Sequence, residues 1–288
     1  MWSPPEVTKE SSGEGYPDDS SFIPEKLERF RLGPRPRCEI AALYNAVSFY
    51  NRNTGRLFNT HITISPSVAG ITDHKECARI LSQVLHEAGK WLLRGETLVT
   101  RRRRSYRQLW GSSDFSYVYV HENTREIGMH THVLTDVTRL QLKPFRDWFR
   151  YRAGHYCRQA GATDDISGSL VRVRWHQSHV ESDNVWRQWL WFRYVTKSLD
   201  PDLGYYDPDG RPVTMRELFK TDNFGPSEPM ACSKISGCSH SISEGARRRA
   251  GFRSRAERGD YTRLYDGHEL EEYKQGVVHQ KVQSKLDI

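Results

Sequence analysis

The chain has 288 residues, 36% hydrophobic and 27% charged, and its 43 Lys and Arg against 36 Asp and Glu give a formal net charge of +7. This supports a buried core and favours a polyanionic partner, while no run approaches the roughly 18 apolar residues of a membrane helix. Five scattered cysteines (Cys38, Cys77, Cys157, Cys232, Cys238) and a start without the basic-then-apolar pattern of a secretory signal predict a cytoplasmic protein with reduced thiols.

Residues 1–38 are read as a disordered or poorly ordered segment, since the first twenty are rich in Ser, Pro, Gly and acids and poor in large apolar groups. The chain turns globular near residue 39. LFNTHITI, residues 57–64, alternates β-branched residues and stops at Ser65-Pro66, as a strand does. Asp73 with Glu76 three residues on forms a capping-box pattern, and Cys77, Leu81, Val84, Leu85, Ala88 and Leu92 recur at helical spacing, so a helix is expected over about 73–93. FSYVYVHE (115–122) and MHTHVLTDV (129–137) read as two strands of a hairpin. Pro144 suits the first turn of a second helix, with Phe145, Trp148, Phe149 and Tyr156 as its apolar contacts. LVRVRW (170–175) alternates as a fourth strand, and Asp183 is placed to cap a last helix that runs through WRQWLWFRYVTK to about Leu199. The order β-α-β-β-α-β-α predicts an α+β, ferredoxin-like antiparallel sheet with helices on one face, plus an extra helix. The domain division expected from this is 39–205 for the folded core and 206–288 for a basic region, DNA-binding or partly disordered.

His130-Thr131-His132 carries the first chemical signal. Alternate strand residues share a face, so both imidazoles project together. Glu122 lies near the end of the pairing strand and can complete a divalent-metal site. His121 is the rival third ligand, because adjacent residues point to opposite faces. A carboxylate with two imidazoles suits Mn²⁺ or, less ideally, Mg²⁺. The second signal is Tyr194-x-x-Lys197, i and i+3 on the last helix, on a face that includes Arg187 and Trp191. A tyrosine phenol is mostly protonated at neutral pH, and a neighbouring ammonium favours its phenolate.

In this order, the strand LFNTHITIS, the pair YVHE…HTHVLTD and the helix RYVTKSLD resemble the rolling-circle replication initiators of the HUH endonuclease superfamily, encoded by plasmids, phages and other mobile elements. The resemblance covers about residues 57–200. It implies that His130 and His132 bind a divalent metal with Glu122 as third ligand. It also implies that Tyr194 attacks a single-stranded DNA phosphate to leave a 5′-phosphotyrosine and a free 3′-OH, with Lys197 assisting. Transposases and conjugative relaxases share this chemistry. The sequence departs from the pattern at Thr131, where the family usually has a bulky hydrophobe. It also offers one tyrosine on the nucleophile helix, as Tyr205 and Tyr206 follow a DPDLG break. The implied partners are single-stranded or hairpin DNA at a replication origin and a separate host helicase, there being no GxxxxGK[ST] sequence here.

Arg101, Arg102, Arg103, Arg104, Tyr106 and Arg107 form a basic, aromatic-interleaved stretch suited to DNA phosphates and bases. Residues 244–263 carry a second arginine cluster, read as a backbone-gripping tail or a small helical element. His176-x-x-His179 reads as a pair of surface imidazoles at a strand end. A non-catalytic nucleic-acid binder on the same sheet, stacking bases on aromatics such as Tyr117 and Tyr119, is the reading from another class.

Overall fold

A computed structural model describes residues 39–93, 96–101, 104–109, 115–162, 169–199, 204–206, 212–221, 227–232 and 234–286. The expected disordered segment, residues 1–38, lies outside these.

The first described element is a helix, α1 (Glu39–Thr54). It escapes periodicity analysis because it is buried nearly all round, with Ile40 and every residue from Leu43 to Asn51 in the interior. Strand β1 (Thr60–Ile64) follows, then α2 (His74–Leu93). Asp73 caps α2 by accepting from the Lys75 amide at 2.9 Å, but Glu76 turns to Arg79 (Nε at 2.8 Å) and does not close a box. A separate hairpin, β2 (Glu96–Arg101) and β3 (Arg104–Leu109), comes next.

Strands β4 (Tyr117–Thr124) and β5 (Gly128–Thr135) form the expected hairpin. The second helix, α3 (Arg139–Gln159), starts earlier than Pro144 suggests. Thr138 accepts from the Gln141 amide while Gln141 reaches back to the cap, a complete capping box, and Pro144 lies inside the helix. Strand β6 (Val171–Trp175) and helix α4 (Glu181–Val195) complete the predicted series. The start of α4 is Val180 without a side-chain cap. Asp183 instead accepts from Ser178 Oγ at 3.0 Å, inside the first turn.

The main sheet is antiparallel in the order β6-β1-β5-β4, the arrangement of a split β-α-β fold. Helices α2 and α3 cover one face, where Ile62, Ile64, Val133 and Val171 meet Ile80, Val84, Phe145 and Phe149. The opposite face carries Val118, Val120 and Leu134, packed with α1 and α4 through Val47, Trp189, Phe192 and Val195. Asn51 and Gln188 exchange paired amide hydrogen bonds (3.0 and 2.8 Å), and Gln188 also accepts from the Phe58 amide, which fixes α4 against α1.

The chain past residue 205 continues the same structure. A small hairpin, β7 (Gly204–Tyr206) and β8 (Pro212–Thr214), leads to α5 (Met215–Phe219). Then β9 (Ser236–Cys238) joins the sheet as a fifth strand, antiparallel to β4. Helices α6 (Glu244–Arg249) and α7 (His268–Leu286) follow, and Leu264 and Leu270 are buried in the α1–α4 core. Within the Arg-rich stretch, Arg247 is buried and donates to the Ile242 carbonyl, Arg255 pairs with Asp266, and Phe252 packs on Phe49 at 5.3 Å, while Arg248, Arg249, Arg253, Arg258 and Arg263 are exposed. The four cysteines among the described residues are free thiols. No helix among the described residues is long and apolar enough to cross a membrane.

Candidate metal centre and tyrosine

Pleating decides which polar strand residues meet. Glu122 is the direct cross-strand partner of His130, and His132 stands opposite Val120 on one side and Thr63 on the other. All therefore share the face toward α4. His121 faces the other way and bonds its cross-strand partner Thr131, Nδ1 to Oγ1, at 2.7 Å. Of the two residues the sequence leaves open, Glu122 is on the histidine face and His121 is not. Thr131 thus has its partner on the reverse face.

Glu122, His130 and His132 are all buried, with one ligand atom from each lying within 4.8 Å of the others, so the cluster can hold a metal ion. Glu122 Oε2 is 3.3 Å from His130 Nε2 and 3.1 Å from His132 Nε2. His130 Nδ1 lies 3.0 Å from the Gly128 carbonyl, which can only accept, so Nδ1 carries the proton. In the neutral ring that leaves Nε2 as an acceptor facing a carboxylate oxygen. A cation between the two satisfies both, and the donor set fits one.

Gly128 is needed here. It has φ +74°, and a Cβ on it would stand 2.9 Å from Ser67 Cβ. The turn thereby returns the chain into β5 with its carbonyl set for His130.

His132 is held from behind. Its Nδ1 lies 3.1 Å from His61 Nε2 and 3.2 Å from Thr63 Oγ1, both on β1. Alternation along THITI puts these two supports on one face, and of the two only Thr63 carries no signal in the sequence. Burial pushes the His61 imidazole well below its usual range, with His132, Arg174 and Lys197 adding to the effect. Burial also lowers His132, against the opposing hydrogen bond it donates to Glu122. Neutral imidazoles bind a metal without first losing a proton. For Glu122, burial raises the carboxyl, but hydrogen bonds from His132 and Lys197 and the Lys197 charge outweigh it and hold the group well below the carboxylate range.

Tyr194 sits on the last turn of α4 with its ring against His132 (centroids 5.3 Å) and His61 (5.7 Å). Lys197 is not on the helix. α4 ends at Val195, and Lys197 lies in the following turn, buried, with Nζ donating to both oxygens of Glu122 and standing 4.9 Å from the Tyr194 ring centroid. The predicted tyrosine, lysine and metal ligands thus converge. The arginine stretch is a separate matter: Arg101, Arg104, Tyr106 and Arg107 fall on the β2–β3 hairpin, and Arg102 and Arg103 lie outside the described residues.

Comparison of the chain with protein-family models, with curated proteins and with solved structures returns no match.

Proposed function

We propose that this protein is a metal-dependent endonuclease and strand transferase that nicks single-stranded DNA through Tyr194, in the manner of a rolling-circle replication initiator. The observation that carries the reading is the packing of the Tyr194 ring on His132 beside the buried Glu122–His130–His132 set.

Those three residues would hold Mn²⁺ or Mg²⁺, the ions suited to a carboxylate and two imidazoles with positions left for substrate oxygens. The bound ion supplies Lewis-acid polarisation of the scissile phosphate. Tyr194 Oη attacks the phosphorus: the Oη–P bond forms, the P–O3′ bond breaks, and the phenolic proton ends on the departing 3′ oxygen. One phosphodiester replaces another, so the 5′-phosphotyrosine keeps the bond energy for rejoining. Lys197 places its ammonium beside the Tyr194 ring, where its positive charge offsets negative charge developing in the attack. The substrate is a replication-origin strand, single or extruded as a hairpin. With no Walker sequence in the chain, unwinding falls to a host helicase, and the setting is the cytoplasm.

The test is incubation of the full chain with labelled hairpin-bearing single strands from the DNA flanking its gene, with Mn²⁺, read on a denaturing gel. A protein–DNA band that vanishes with chelator and with Tyr194→Phe is expected. Persistence of the band in Tyr194→Phe would sink the nucleophile assignment. Binding without any covalent band would favour a non-catalytic nucleic-acid binder.

A further inference from the structure

At the end of the sheet away from Glu122, the segments that enter β1 and leave β5 and β6 converge on a cleft of about 570 Å³. Arg56, Asp136, Arg139, His176, Glu181 and Arg187 line it. Both carboxylates are already matched, Asp136 by Arg56 at 2.5 Å and Glu181 by Lys274. Arg139 and Arg187 have no acidic partner among the described residues, so the cleft is left with a positive excess. Two of its nitrogens, Arg187 Nε and His176 Nε2, are buried without a hydrogen-bond partner. An oxyanion rich in acceptors answers both features.

The cleft is joined to the metal centre. Arg187, Trp191 and Tyr194 follow one another along one face of α4, and the Trp191 and Tyr194 rings stand 5.9 and 5.7 Å from His61. Arg187 and Tyr194 lie seven positions apart on the helix, about 10 Å along the axis. Across the sheet, Arg174 pairs in register with His61 and Arg172 with Thr63, and both arginines are exposed on the edge strand β6. At the cleft, the Arg187 guanidinium lies 4.8 Å from the ring centroid of Trp186, which is 57% exposed and offers a base-stacking surface.

We infer that this cleft is a second phosphate site, which grips the backbone of the same DNA strand a few nucleotides from the phosphate that Tyr194 attacks. It rests on the nuclease reading and adds to it the course of the strand, from the metal centre past Arg172 and Arg174 to Arg139 and Arg187. A continuous row of cations leading from a reacting phosphate fits a polymer backbone better than a free anion.

The test measures binding of a short fluorescent oligothymidylate to the full chain in chelator, as log Kd against log salt. Each phosphate contact to a single strand contributes about 0.7 to that slope. The Arg139→Gln/Arg187→Gln chain is expected to lose about 1.4 of slope. Should the double variant fail to melt cooperatively, Arg139→Gln alone, at an exposed position, is expected to lose about 0.7. A variant slope equal to wild type overturns the cleft while leaving the nuclease reading standing. Absence of oligothymidylate binding by wild type overturns the cleft as a sequence-independent backbone grip, while the covalent-band gel with origin-type strands decides the nuclease reading separately. An arm with inorganic phosphate at matched ionic strength separates the two sources of phosphate. If it displaces the oligonucleotide from wild type but not from the variant, the cleft is a free-anion site and the proposal falls.

Discussion

His61 and His121 illustrate how two imidazoles in neighbouring strands take different roles. His61 touches no predicted ligand atom but holds His132 through its far nitrogen, the position from which outer partners orient metal ligands. Replacing His61 with Asn is expected to lower Mn²⁺ affinity about 10–100-fold, measured by titration of the free Mn²⁺ paramagnetic signal. Unchanged affinity would reduce His61 to core filling. His121 works through burial, which pushes its imidazole down from 6.5 to about 4. Its folded value lies below its unfolded one, so its contribution is complete above pH 6.5 and is lost as the pH falls toward 4. The expected loss is about 3 kcal/mol over that window, and His121→Gln should flatten the acid side of the urea-denaturation profile by that increment. The sequence makes His130, His132 and Tyr194 legible because their spacing is chemistry at short range. The choice between His121 and Glu122 depends on the pleat, and the service of His61 depends on two strands far apart in the chain, so neither is readable from spacing.

At the scale of elements, what sequence makes legible is what local pattern makes distinct. β1, β4, β5 and β6 alternate and lie within a few residues of where alternation places them. α1 has no polar face to reveal it, because it is wrapped by α4, α7 and the sheet. Pro144 misleads about the start of α3, since Thr138 and Gln141 supply a stronger start signal upstream. Thr138→Ala is expected to cost about 1 kcal/mol, read as a shift of the urea midpoint with unchanged slope. A neutral result would mean that packing of Phe145 and Phe149 alone sets the helix start. Lys197 is assigned correctly to the neighbourhood of Tyr194 but by the wrong geometry: the turn after α4, rather than helical spacing, brings its ammonium to Glu122.

At the scale of the molecule, the expected boundary near residue 205 divides one packed body, residues 37–288. Ser236–Cys238 is too short to announce itself, yet it covers the outer edge of β4, whose Val118 and Val120 lie in the core. Tyr44 on α1 donates to the Leu264 carbonyl at 2.7 Å, another tie between the ends. A chain ended at Thr221 is therefore expected to lose its cooperative calorimetric transition, and a sharp melt from that truncation would show that the remainder folds alone. The late fifth strand also sets a schedule. During synthesis the strand that carries Glu122 keeps an unpaired edge until residue 238 has left the ribosome, and such an edge invites pairing with other chains. The candidate centre is thus enclosed only after a strand well downstream of Lys197 has been made, and a chain stopped before Ser236 has Glu122, His130 and His132 without the strand that covers the edge of their sheet.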